Sequence, residues 1–242
     1  MVYFFSDVHL GYFRRADDRR REDTLLRFLD SLAGDAERIF IVGDLFDYWF
    51  EYNTVIPKYF YRTLAALERL VRQGVAIEYV MGNHDFGHQQ FFAQEFGIAV
   101  ERGDITRTLG GKRFFIAHGD GKVSNDKGYL LLRAILRNKL SVKLFQWIHP
   151  DVGIGLAMRS SRASRLYTDA KEYGGSDGLQ EFAAAKIAGG FDYIVMGHRH
   201  LAGKYHIGDG CYINLGHWFG DAPTYARFDG SETELLIFGE TP

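Results

Sequence analysis

One cysteine, Cys211, is all the chain contains, so neither an internal disulfide nor a thiolate metal site can be built. No apolar run is long enough to span a bilayer, and the opening stretch VYFF is too short for the apolar region of a secretory signal. Positive charge is not in excess either. Lys and Arg number 29 against 31 Asp and Glu, a net charge of −2, which excludes a strongly basic nucleic-acid footprint over the whole chain. Repeats and low-complexity tracts are missing too. These absences predict a cytoplasmic protein, free or peripheral on a membrane, with no nucleic acid and no obligatory protein partner. With 46% apolar and 25% charged residues, the 242-residue chain has the composition of a soluble globular protein with a large core.

Five short motifs rich in His, Asp and Asn carry the chemistry. They are Asp7-Val8-His9, Gly43-Asp44-Leu45-Phe46-Asp47, Gly82-Asn83-His84-Asp85, Ala117-His118-Gly119-Asp120 and Gly197-His198-Arg199-His200. Each follows a strand-like apolar run: VYFFS, RIFIV, AIEYVM, RFFIA and FDYIVM. Taken singly, each motif reads as a turn or a helix cap. Five in succession at strand ends read differently, because carboxyl ends of adjacent strands converge on one crevice of an α/β sheet. Imidazoles with carboxylates suit Mn²⁺, Fe²⁺, Zn²⁺ or Co²⁺, whereas an all-oxygen set would suit Ca²⁺. A two-ion centre needs a shared carboxylate, for which Asp44 is the candidate, and its chemistry is in-line attack of an acidified water on phosphorus. Dividing a chain whose motifs span most of its length would divide the site, so one domain covering residues 1–242 is expected.

Between the motifs, strand and helix patterns alternate. Leu25, Leu26, Leu29 and Leu32 share a helical face within residues 22–33, as do Phe60, Leu64, Leu67 and Leu70 within 57–73, where Gly74 ends the helix. Gly110-Gly111 between two short apolar runs signals a hairpin. Strands with helices outside them imply an α/β sandwich. From about 122 to 190 lies an insertion that is helical, apolar and basic at once, with Arg159, Arg162 and Arg165 in one stretch. The commoner meaning of such a pattern is a packed helix pair with a solvated charged face. Set directly between two metal motifs, it is also placed to be a lid, whose guanidinium forks would grip the phosphate of an amphiphile.

The order of motifs resembles the calcineurin-like metallophosphoesterase superfamily over Asp7 to His200. That resemblance implies a four-layer αββα sandwich with a helical lid insertion and two divalent ions, Mn²⁺ first among the alternatives. It assigns Asp7, His9, Asp44 and His200 to one ion and Asp44, Asn83, His118 and His198 to the other. His84 matches the histidine that protonates the leaving group or stabilises transition-state charge, and Asp85 is expected to orient its ring. More specific features, namely Gly43 to Trp49, His118-Gly119-Asp120 with Asp126-Lys127-Gly128-Tyr129, Met158 to Arg162, and Leu215-Gly216-His217-Trp218, resemble the UDP-2,3-diacylglucosamine hydrolases of lipid A biosynthesis. By that resemblance Asn83, Asp126, Tyr129, Ser161 and Arg162 surround a nucleotide-sugar headgroup, with Ser164 and Arg165 as an equally defensible register. Arg159 joins them as a phosphate or headgroup contact, and the insertion receives acyl chains. The implied substrate is a lipid-linked sugar nucleotide, met at the cytoplasmic face of the inner membrane.

One departure keeps a second reading open. The best-known branch of that hydrolase family carries arginine where this chain has His84. Cleaving a pyrophosphate releases a phosphate that needs little protonation, whereas an alkoxide leaving group would value an acid there. A soluble phosphodiesterase or nucleotide phosphatase is therefore the alternative.

Overall fold

Short runs of β-branched and aromatic residues set the framework. The computed structural model describes residues 1–122, 127–169 and 178–239. Its first half contains β1 (Val2–Phe5), α1 (Arg15–Ser31), β2 (Arg38–Val42), α2 (Tyr61–Arg72), β3 (Ala76–Val80), α3 (Phe91–Phe96), β4 (Ala99–Glu101), β5 (Ile105–Leu109) and β6 (Lys112–Ile116). The second half contains α4 (Lys127–Leu136), α5 (Lys139–Phe145), α6 (Pro150–Asp169), α7 (Gly178–Ala188), β7 (Tyr193–Met196), β8 (Gly203–Ile207), β9 (Gly210–Asn214), β10 (Thr224–Phe228) and β11 (Thr233–Ile237).

The strands form two sheets, ordered β11-β10-β1-β2-β3-β4 and β5-β6-β7-β9-β8. In the first sheet β1, β2, β3 and β4 run parallel, and in the second β6, β7 and β9 do. All the motifs therefore leave strands that point the same way within their sheet. β5 and β6 form the expected hairpin, with Leu109 opposite Lys112 across the Gly110-Gly111 turn.

Side chains alternate between two faces along each strand, and this separates the core into layers. Phe4, Phe40, Val42 and Val80 of the first sheet meet Phe114, Ile116, Val195 and Ile213 of the second. The Phe4 ring stacks on both Phe40 and Phe114, with centroids at 5.0 and 5.7 Å. Tyr3 and Phe5 point the other way, under Leu25, Phe28 and Leu29 of α1 and Leu64 and Leu67 of α2. Behind the second sheet, Phe115, Ile194, Met196 and Tyr212 pack beneath Leu179 and Ala183 of α7. The result is the four-layer αββα sandwich.

Two expectations need adjusting. Helix α1 begins at Arg15, nearly three turns before its leucine stripe, where Asp17 with Arg20 and Asp18 with Arg21 form ion pairs three residues apart along it. Of the insertion expected at about 122–190, α7 is the outer layer of the sandwich, so only α4, α5 and α6 stand outside the four layers. Those three helices stay incompletely covered. Of the 15 exposed large apolar residues among those described, nine lie between Leu130 and Leu156, with Trp147 83% exposed. The helices are nonetheless anchored: Phe145 packs on Phe50 at 4.6 Å, and Ile154, Ala157 and Met158 pack on the first core. Gln146 donates to the Glu51 carbonyl at 3.0 Å, and Arg137 to the Gly82 carbonyl at 2.7 Å.

Candidate metal centre

The motif loops are tied to one another before any side chain is considered. Asp7 N donates to the Gly43 carbonyl at 3.2 Å, His9 N to the Asp44 carbonyl at 2.9 Å, and Gly197 N to the His118 carbonyl at 2.9 Å. A buried arginine reinforces the first loop, Arg21 of α1 donating to the carbonyls of Val8 and His9 at 2.9 and 3.0 Å. Among the described residues, the non-glycine positions with positive φ are Asp7, His9, Asp44, His198 and His200, at 49° to 70°. Such left-handed backbone costs about 1 kcal/mol or more per residue and persists where surrounding structure over-determines it. All five are expected ligands. Close approach also fixes two glycines: a Cβ on Gly82 would lie 2.0 Å from Asp44 Oδ1, and one on Gly197 would lie 2.2 Å from Asp7 Oδ2.

The side chains then converge. Asp7 Oδ1 lies 3.3 Å from His200 Nε2 and 3.6 Å from His9 Nε2, and those two nitrogens are 3.2 Å apart. Asp44 Oδ2 lies 3.6 Å from His9 Nε2 and 3.2 Å from His118 Nε2, which is itself 3.0 Å from Asn83 Oδ1. One carboxylate oxygen thus faces both clusters. Asp7, His9 and His200 form one set of potential ligand atoms, and Asp7, Asp44 and His118 another. His198 joins through its backbone N–H to Asp7 Oδ2 at 3.0 Å, with its ring 5.1 Å from that of His118.

The donor set fits divalent cations. Asp7 Oδ1 is fully buried and lacks a hydrogen-bond partner, a costly condition that a cation would relieve. His118 Nδ1 donates to the Val42 carbonyl at 2.9 Å, which leaves Nε2 as the ligating nitrogen. The charges agree. Burial alone would raise the Asp7 and Asp44 carboxyls, yet the surrounding histidines hold both well below their ordinary value. Burial alone would lower His9, yet Asp47, Asp7 and Asp44 raise it to about 9, and Asp44 likewise raises His118. Burial and the neighbouring His118 push His198 down to about 4. This is a site that draws protons where it lacks metal.

The structure corrects one role and adds another. Asp85 does not orient His84. Its carboxylate accepts from Leu45 N at 3.0 Å, from Gly82 N at 2.8 Å and from the Tyr79 hydroxyl, so it braces the motif loops. His84 instead donates its backbone N–H to Asp44 Oδ1 at 2.9 Å, and its Nδ1 lies 2.8 Å from Ser161 Oγ of α6. Asp47, not among the expected site residues, lies with Oδ1 3.3 Å from His9 Nδ1 and accepts from Ser161 through Oδ2 at 3.0 Å. Its signal in the sequence is the second carboxylate of Gly-Asp-Leu-Phe-Asp. Arg21 has no such signal, being one of three consecutive arginines.

Of the expected substrate contacts, Asn83 and Ser161 are at the centre. Arg159 is exposed on α6, about 200° around the helix from Ser161. Asp126 lies outside the described residues, as do the side chains of Tyr129, Arg162 and Arg165.

The calcineurin-like phosphoesterase profile matches residues 1–202. A UDP-2,3-diacylglucosamine hydrolase of Porphyromonas gingivalis (strain ATCC BAA-308 / W83) is 33% identical over 97% of this chain and 96% of its own length. Its namesakes from Neisseria meningitidis serogroup B and Haemophilus ducreyi are 32% and 29% identical, over 95% and 97% of this chain and 94% and 98% of theirs.

Proposed function

The chain belongs to the calcineurin-like phosphoesterase family, and from that premise we propose that it hydrolyses the pyrophosphate of UDP-2,3-diacylglucosamine. Water attacks the α-phosphorus, the bond to the bridging oxygen breaks, and the products are UMP and 2,3-diacylglucosamine 1-phosphate. The observation that carries this reading is the joining of two features that a soluble substrate would not need together. A centre sharing Asp44 between two clusters opens beside three helices from which nine large apolar side chains, between Leu130 and Leu156, face solvent. Exposed apolar surface on this scale marks a binding surface.

Asp7, His9, Asp44 and His200 would hold one divalent cation and Asp44, Asn83, His118 and His198 a second, whose chemistry when bound is charge neutralisation at phosphoryl oxygens and acidification of water. We assign Mn²⁺ first, with Fe²⁺, Zn²⁺ and Co²⁺ as alternatives that the same nitrogen and oxygen donors accept. His84 stands over the centre, a ring nitrogen within 4.8 Å of ligand atoms of His9 and Asp44, where it stabilises charge on the leaving group. Arg159, Arg162 and Tyr129, with Asp126, remain candidates for the headgroup. The exposed helices would take the acyl chains and rest on the cytoplasmic face of the inner membrane as a peripheral contact. Among the described residues, no helix is long and apolar enough to cross a membrane.

Affinity for the diacyl sugar nucleotide measured against UDP-glucosamine tests this reading. Each buried methylene contributes about 0.8 kcal/mol, so two chains should dominate. Equal affinity would favour the soluble phosphodiesterase or nucleotide phosphatase, the alternative that His84 itself keeps open.

A further inference from the structure

We propose that Ser161 is a positioning residue: by bridging His84 to Asp47 it fixes the tautomer of the His84 ring, and so makes a competent site conditional on docking of α6. The inference rests on the phosphoryl-hydrolysis reading above but not on the identity of the lipid.

Ser161 is 8% exposed, at the end of a partly buried stripe formed by Ile154, Ala157 and Met158. The spacing i, i+3, i+4, i+7 puts these four positions on one face of α6. Three of them are apolar and pack on the core. The fourth is a hydroxyl, which at that depth requires partners. Both of its partners belong to the centre: His84 Nδ1 at 2.8 Å and Asp47 Oδ2 at 3.0 Å.

The direction of this chain of hydrogen bonds is determined. A carboxylate has no hydrogen to give, so the serine hydrogen goes to Asp47, and the serine oxygen accepts from the His84 ring. Nδ1 therefore carries a hydrogen. Asp47 cannot do this alone, because its Oδ1 is 3.9 Å from His84 Nδ1, too long for a hydrogen bond. The serine fills that gap. Asp47 Oδ1 meanwhile faces Nδ1 of the expected ligand His9 at 3.3 Å, so one carboxylate aligns a ligand directly and His84 through α6. A helix of the lid thereby supplies a part of the active site.

The rival role for Ser161 is contact with the headgroup, and the two predict different kinetics. Ser161→Ala should lower kcat about tenfold or more, equally on UDP-2,3-diacylglucosamine and on a small aryl phosphodiester, with KM and metal content nearly unchanged. In a His84→Ala background the same substitution should change kcat less than about twofold, since the two residues act as one unit. Ser161→Thr and Ser161→Val, equal in shape and different only in the hydroxyl, keep the test sound if alanine disturbs folding: threonine should restore kcat and valine should not. Long-range ¹H–¹⁵N spectra of the Zn²⁺-loaded protein should show His84 as a single Nδ1–H tautomer, lost in Ser161→Val. An unchanged tautomer, or multiplying effects of Ser161→Ala and His84→Ala, or a raised KM at constant kcat, would overturn the proposal. Wild-type protein that cleaves the aryl diester but never the lipid would instead overturn the lipid assignment and leave this inference standing.

Discussion

Asp44 is the residue on which the two clusters depend, because its Oδ2 lies within 3.6 Å of both His9 Nε2 and His118 Nε2. Asp44→Ala should therefore lose both cations, whereas His200→Ala, which touches only the Asp7 and His9 side, should weaken mainly one. Metal content of the purified variants checks this, and an Asp44→Ala protein that retains two tightly held ions would remove the shared carboxylate. Protons give a second test. His9 is raised to about 9 by its carboxylates, so at pH 7 it is charged where metal is absent, and a ligand must be neutral. Metal uptake should release protons and tighten as pH rises towards 9. Calorimetry in buffers of different ionisation heat measures the release; identical heats in all buffers would contradict it. At this scale the sequence was most legible where chemistry is local. Each expected ligand ends a strand run, and that placement brings them together. Asp85 misled because it adjoins His84, yet neighbours in a chain do not face one another. Its oxygens reach the backbone of Leu45 and Gly82 instead.

At the scale of elements, α4, α5 and α6 couple the site to an apolar surface. Trp147 is exposed while Trp49 and Trp218 are buried, so one indole reports on what covers these helices. Adding the diacyl sugar nucleotide or phospholipid vesicles should shift emission to the blue, and Trp147→Phe should abolish the shift. No shift with either ligand would leave the helices without a lipid role. The segment that receives α5 is held by Glu51, which accepts from Trp49 Nε1 at 3.1 Å and from Gln90 N and Phe91 N at 2.8 and 3.0 Å. Burial alone would raise its carboxyl, but nearby His88, then the backbone N–H of Phe91 and the Trp49 indole, bring it down to about 2. A depressed carboxylate stabilises the fold above its unfolded pKa, and the contribution disappears as pH falls from about 4.5 towards 2. Glu51→Gln should thus cost about 2 kcal/mol at neutral pH and much less at pH 2 to 3. Denaturant melts at the two pH values decide, and equal losses would place the effect in packing. That α4, α5 and α6 are helices was legible from their mixed apolar and basic sequence. The role of α7 was not, since its Ala-rich run Phe182 to Ala185 shows no narrow stripe, and only the sheet beneath it gives it a layer.

The whole molecule is a device for bringing strand ends from two sheets to one crevice. Its class followed from alternating strands and helices, but its strand order did not. The chain returns at its end to place β10 beside β1, with Val2 opposite Phe228, a pairing of sequence-distant strands that no local pattern announces. What this crevice cleaves can be read directly. Mn²⁺-loaded protein should be given UDP-2,3-diacylglucosamine in ¹⁸O-water, with the products read by mass spectrometry. Attack at the α-phosphorus should give UMP carrying the label and unlabelled 2,3-diacylglucosamine 1-phosphate, both abolished by a chelator. Label in the lipid phosphate would contradict attack at the α-phosphorus, and an intact lipid substrate beside rapid hydrolysis of soluble nucleotides or diesters would contradict the function itself.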